Sequence, residues 1–294
     1  MTVQLALCES DLAPVEDVGQ DILEFAPDLA YRRLSIVNVI FYGNPSESNE
    51  WVLIDTGLST SSKAIIQAAE HRFGPGTRPT AIVLTHGHFD HTGSLEALVQ
   101  HWDVPVYAHP LEIPYLNGQA SYPPADALVG GGAMALLSPL FPRSPVNVEP
   151  WLKILPPDGS IPGMPGWRWL HTPGHAPGHI SLWRESDRTL IAGDAIVTTG
   201  QESVYEVIVQ KPEMHGPPRY LTPDWEEAEH SVAGLAVLEP ERIITGHGRP
   251  VCGANMRSRL HELADNFASI AVPEGRRYVL DPAKPGKSSN DAYR

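Results

Sequence analysis

Thr85-His86-Gly87-His88-Phe89-Asp90-His91-Thr92-Gly93 places three imidazoles and one carboxylate within six positions. The apolar run Ala81-Ile82-Val83-Leu84 stands just before it and reads as a buried strand. The histidines therefore leave a strand end on a loop, where a rigid scaffold can hold a site. Nitrogen and oxygen donors in this arrangement suit a borderline cation such as zinc. The run divides into two halves, His86 with His88 and Asp90 with His91, which could serve two metals side by side.

Three later segments each offer one further donor after a strand-like run: His171-Thr172-Pro173-Gly174-His175, Leu190-Ile191-Ala192-Gly193-Asp194 and Ile243-Ile244-Thr245-Gly246-His247. In each, a glycine precedes the donor and lets the backbone turn tightly. One histidine in such a loop would be unremarkable, but four segments with the same design point to a shared site.

The rest of the chain bounds the possibilities. With 294 residues and 42% apolar content, it can bury a sizeable core as one large domain or two modest ones. A net charge of −14 argues against a bulk phosphate-backbone binder. Cys8 and Cys252 are far apart and read as small apolar side chains rather than a redox or metal pair. The first residues carry no basic n-region, and no stretch reaches the roughly 18 apolar residues that span a bilayer. A cytoplasmic protein acting on a small molecule, without nucleic acid or membrane, is the expectation; the oligomeric state is left open.

Around the histidine run, residues 31–43, 51–54, 104–107, 167–170, 180–183, 189–192 and 242–245 read as strands. A helix starting near Ser61 would bury Ile65, Ala68, Ala69 and Phe73, and another would run through Leu95, Leu98 and Val99. Residues 223–238 read as a helix capped by Thr222 with Pro223 in its first turn, and 254–270 as a last helix. Strands arranged first as a meander and then alternating with helices indicate a sheet-rich α/β layered domain. Residues 1–280 are expected to form one domain, with an insertion at about 109–150 and a flexible polar tail at 281–294. The insertion holds eight prolines and Gly130-Gly131-Gly132, and loops of this length are usually lids or binding loops.

Taken in order, Asp55 in Ile-Asp-Thr-Gly, the His-x-His-x-Asp-His run, His175, Asp194 and His247 resemble the motifs of the metallo-β-lactamase superfamily. The resemblance implies an α/β (α+β) fold, an αββα four-layer sandwich. It also implies that His86, His88 and His175 bind one metal, that Asp90, His91 and His247 bind a second, and that Asp194 bridges them. Asp55 would support the site from behind. Asp194 favours the general hydrolase, glyoxalase II-like and lactonase-like branches over true β-lactamases. The chain departs from the lactonases by lacking a Tyr shortly after Asp194, and from glyoxalase II by lacking a basic C-terminal glutathione-binding cluster.

The expected function is a dinuclear metal-dependent hydrolase, with zinc first and manganese or iron as alternatives. A bridging hydroxide would attack the carbonyl of an ester, lactone, thioester or amide of a small molecule. Asp90 would ligate, orient that hydroxide and carry a proton. The alternatives are a mononuclear-iron persulfide dioxygenase and a non-catalytic metal-binding protein on the same scaffold. His179, four residues past His175, reads as a residue behind the ligands. Tyr115, Met134, Phe141, Tyr205, His215 and Tyr220 suit either the walls of a substrate pocket or core packing.

Overall fold

A computed structural model describes residues 5–129, 132–201 and 204–284. Most of the tail at 281–294, two glycines of the triplet and residues 202–203 lie outside the described residues. The chain divides into two compact units. The first comprises Pro14–Ser121 and Arg143–Pro165, the second Met1–Ala13, Tyr122–Pro142 and Gly166–Arg294. The segment read as one insertion is thus shared between them.

The first unit is built on eight strands in the spatial order Glu16–Asp17, Ile22–Ala26, Leu29–Leu34, Val37–Tyr42, Val52–Ile54, Ala81–Val83, Val106–Ala108 and Leu152–Ile154. The first five form an antiparallel meander, and from Val52–Ile54 onward neighbours are parallel. Parallel neighbours need crossover connections, which the helices Ser62–Phe73 and Leu95–Trp102 supply. Both turn the expected apolar faces inward, burying Ile65, Ala68, Ala69 and Phe73 on one and Leu95, Leu98 and Val99 on the other. Strands covered on both faces read as unbroken apolar runs, and Val52–Ile54 and Ala81–Val83 are buried throughout.

Residues 31–43 differ from the expectation. They are no single strand but the two arms of a hairpin, with Leu34 paired to Val37. Ser35 takes the left-handed backbone at φ 61°, the conformation a two-residue hairpin turn demands and one for which Ser gives no strong sequence cue.

The second unit holds a five-stranded sheet in the order Trp167–His171, Ile180–Arg184, Thr189–Gly193, Arg242–Thr245 and Val251–Cys252, and a separate antiparallel pair, Leu5–Ala6 with Glu213–Met214. Thr189–Gly193 and Arg242–Thr245 are parallel, and the other pairs antiparallel. The helices Trp225–Val237 and Gly253–Asp265 cover a core that includes Trp183, Ile243, Leu260 and Phe267. Two helix readings are corrected here. The cap of Trp225–Val237 is Asp224, which accepts from the Glu227 amide at 3.2 Å, while the Thr222 hydroxyl donates to the Pro218 carbonyl at 2.8 Å and faces His175 Nδ1. The last helix breaks at Asn266, and a separate turn runs over Phe267–Ile270.

In the first unit the aromatic centre is Trp51, stacked on Phe73 at 4.8 Å and edge-on to Trp102 at 5.5 Å. Its indole N–H donates to Thr77 Oγ1 at 2.8 Å, so a fully buried ring has its polar atom satisfied. Trp51→Ala should cost about 3–5 kcal/mol of stability by emptying that centre. Urea unfolding measures it, and a loss below about 1 kcal/mol would show that the aromatic cluster does not carry the core.

Candidate metal centre

The donors in each unit sit where strands end. In the first unit, Asp55 follows Val52–Ile54, and the histidine run follows Ala81–Val83. These are parallel neighbours, and carboxyl ends of parallel strands are where α/β sheets hold ligands. After His88 the chain makes one helical turn, Phe89–Thr92, with the His91 and Thr92 amides both donating to the His88 carbonyl. His88, at φ −64° and ψ 154°, is extended backbone, and Asp90 and His91 come from the turn. Gly93 ends it, and a Cβ there would lie 2.4 Å from the Ser59 nitrogen. The result is a tight imidazole cluster, with ring centroids 4.7 Å apart for His86 and His88 and 4.2 Å for His86 and His91.

Asp55 organises this half. Its Oδ1 accepts from the Thr85 amide at 2.8 Å, and its Oδ2 accepts from the Thr85 hydroxyl at 2.7 Å and from His91 Nδ1 at 2.8 Å. Thr85 has spent its proton on Asp55, so its oxygen receives Nδ1–H of His86 at 3.1 Å. The network thus assigns the proton to Nδ1 on both His86 and His91 and directs Nε2 to act as the ligating atom. Asp55 itself adopts a left-handed φ of 61°. Strain of that kind in a non-glycine residue persists where surrounding bonds hold it.

In the second unit, His175, Asp194 and His247 meet. Asp194 Oδ2 lies 3.5 Å from His175 Nε2 and 3.1 Å from His247 Nε2. His175 Nδ1 faces Thr222 Oγ1 at 3.3 Å, and that hydroxyl already donates to Pro218, so again the proton sits on Nδ1. Gly174 turns the chain at φ 123°, and a Cβ there would approach the Ala228 nitrogen to 2.4 Å. Gly246 needs no such conformation; the left-handed residue beside His247 is Gly248, at φ 100°.

His179 is buried beside the backbone of Asp194, and its task is legible. Its Nε2 accepts from the backbone N–H of Asp194 at 2.9 Å. The proton on Nδ1 goes to Thr172 Oγ1, Thr172 to Ser181, and Ser181 to the Ala192 carbonyl. With Nε2 so engaged, His179 orients the Asp194 backbone rather than ligating a metal.

All seven candidate ligands are buried, and each unit offers histidines and a carboxylate of the kind that bind a metal ion. Imidazole Nε2 atoms and carboxylates fit a divalent cation, and the hydroxyl and carboxylate clamps behind the rings are what such an ion requires.

Residues 32–247 match the family model of the metallo-beta-lactamase superfamily. The chain belongs to the metallo-beta-lactamase superfamily. A Bacillus subtilis (strain 168) protein named "Probable metallo-hydrolase YflN" is 51% identical over 237 residues, covering 81% of this chain and 90% of that one. A "Hydroxyacylglutathione hydrolase" of Alkalilimnicola ehrlichii is 30% identical, covering 81% of this chain and 73% of the relative. The crystal structure of the BLEG-1 B3 metallo-beta-lactamase shares the fold, with a TM-score of 0.55 at 23% identity, over 80% of this chain and 96% of that one. The chain is a metal-dependent hydrolase of this superfamily.

The other residues read as pocket walls fall into different settings. Tyr115 is buried in the short helix Ile113–Leu116 of the first unit. In the second unit, Met134, Phe141 and Tyr220 pack in a small apolar cluster with Val129, Ala135 and Leu221. Phe141 meets the Tyr220 ring edge-on at 5.9 Å. Tyr205 stands exposed on the helix Val204–Val209. His215 is buried, with Nε2 2.8 Å from Glu213 Oε1. Among the described residues, no helix is long and apolar enough to cross a membrane.

Sequence reading missed Thr85, Thr222 and Glu112. The first two are adjacent to motif residues or to a helix start, where a hydroxyl reads as a cap. The third carried no signal. Asp55→Asn tests the support assigned to Asp55. An amide nitrogen would face the donors of Thr85 and His91, and His91 would turn to the wrong tautomer. Metal affinity should fall about 10–100-fold while far-UV circular dichroism stays unchanged. Wild-type metal content in that variant would sink the assignment.

Proposed function

We propose that the seven ligand-type residues together hold two divalent zinc ions, and that the chain hydrolyses the carbonyl ester, lactone, thioester or amide of a small molecule. His86, His88 and His175 would hold one ion, Asp90, His91 and His247 the other, with Asp194 shared. The observation that carries this reading is the Nδ1 clamp on His86, His91 and His175, which commits Nε2 on each ring to ligation. Ions at these positions would supply a water acidified to near neutrality and an electrophile for the carbonyl oxygen.

The chain's own residues do the rest. Asp90 sits on the turn after His88, buried, with its carboxylate beside His91. From there it can orient a nucleophilic water and receive its proton. Asp194 is held at its backbone by His179 and meets both histidines of its unit through one oxygen. That makes it the residue suited to a shared position. Within the substrate set, the thioester is favoured by the relative named for hydroxyacylglutathione hydrolysis. A small-molecule substrate agrees with the charge of −14, which repels a polyanion.

Elemental analysis of natively purified protein, paired with a panel of thioesters, lactones, esters, phosphodiesters and β-lactams, tests the proposal. About two equivalents of metal and turnover of a carbonyl substrate are expected. One equivalent under metal-replete conditions would remove the dinuclear claim, and iron with oxygen consumption would replace hydrolysis by an oxidation. Asp90→Asn should keep the fold and most of the metal yet lose about 100-fold or more of the rate, since the amide cannot take a proton. An unchanged rate in Asp90→Asn would show that Asp90 carries no proton.

A further inference from the structure

Glu112 is 1% exposed, and neither the motifs nor the ligand set uses it. It is the last residue of the turn Pro110–Glu112, which follows the strand Val106–Ala108. That strand lies parallel to Ala81–Val83, whose far end feeds the histidine run. The turn is stiff: His109 Nδ1 accepts from the Leu111 amide at 3.3 Å, and the Glu112 amide donates to the His109 carbonyl at 2.9 Å. From this platform Glu112 Oε2 accepts the backbone N–H of Gly87 at 2.9 Å.

Gly87 stands between the two histidines that would share an ion. On its other side, Thr92 Oγ1 donates to the Gly87 carbonyl at 3.3 Å and to the His88 carbonyl at 3.0 Å. Both peptide groups flanking Gly87 are therefore held, one by Glu112 and one by Thr92. Glycine is the most permissive residue for backbone rotation, so an untethered Gly87 would let the His86 and His88 rings move independently. A carboxylate buried to this degree is costly unless it accepts hydrogen bonds, and spending it on a ligand loop calls for a reason.

We propose that Glu112 is a positioning residue for the metal centre, fixing the Gly87 peptide so that His86 and His88 present their nitrogens at one spacing. The inference rests on the metal-centre reading above. It acts through a hydrogen-bond acceptor at a defined place, so an uncharged acceptor can do the same job.

Two variants separate this role from simple packing. Glu112→Met fills a similar volume and offers Gly87 no acceptor. Glu112→Gln keeps an amide oxygen for it. Zinc affinity is read by competition with a chromophoric chelator, and the folding of each metal-free protein by circular dichroism and melting temperature. Glu112→Met should bind zinc about tenfold or more weakly than wild type, with Glu112→Gln restored towards the wild-type value. Should Glu112→Met not fold, Glu112→Asp replaces it, being one methylene too short to span the contact, and the same loss is expected. Wild-type zinc affinity in the folded variant that lacks the contact, or equal losses in it and in Glu112→Gln, overturns the proposal. Wild-type protein that binds no zinc contradicts the metal-centre reading itself, a separate result.

Discussion

The buried carboxylate of Asp55 is the constraint on which the first unit's half of the site depends. It accepts three hydrogen bonds, two of them from Thr85 and one from His91. Bonds to a charged acceptor contribute about 1.5–3 kcal/mol each, enough to offset much of the penalty for burying the charge. The same three bonds tie the end of Val52–Ile54 to the end of Ala81–Val83 and choose the tautomer of two histidines. One group thus sets backbone, side-chain orientation and proton placement together, and the left-handed φ of Asp55 is the local strain that accompanies it.

The second unit positions its donors with hydroxyls and an imidazole. His175 is clamped by a hydroxyl, and the Asp194 backbone by an imidazole whose own proton passes down a chain of Thr172, Ser181 and the Ala192 carbonyl. Every donor in that chain finds an acceptor, which is the condition for a polar network to survive burial. Both halves also share a backbone logic. Their donors lie just past strand ends, and glycines such as Gly93 and Gly174 let neighbouring chain approach closer than any side chain would allow.

Much of this was legible before the structure. The strands that carry donors are short, apolar and bounded by turns, so their position could be read, and the histidine run was placed on a loop leaving a strand end; the helical turn Phe89–Thr92 within it was not read. The amphipathic helices showed their buried faces for the same reason. What sequence could not show was contact between distant residues. The hairpin at Ser35 lacks the Asn-Gly or Gly-x pair that announces such turns. Thr222 looked like a cap because a hydroxyl before a proline and acids usually is one; its hydroxyl instead supports His175, and Asp224 caps the helix. Glu112 was invisible because a carboxylate in a proline-rich stretch most often faces water, and only the neighbouring strand brings it under Gly87. For Met134, Phe141 and Tyr220, sequence allowed pocket or packing, and these side chains are found packed on one another.

The proposed pair of ions rests on seven side chains from four segments. Crystals of zinc-loaded protein, with data collected on both sides of the zinc absorption edge, test it most directly. Two anomalous peaks are expected, each within about 2.0–2.2 Å of imidazole nitrogens. One should lie against His86, His88 and His175, the other against His91 and His247, with carboxylate oxygen of Asp194 at both. A single peak, or peaks seated away from these residues, would contradict it.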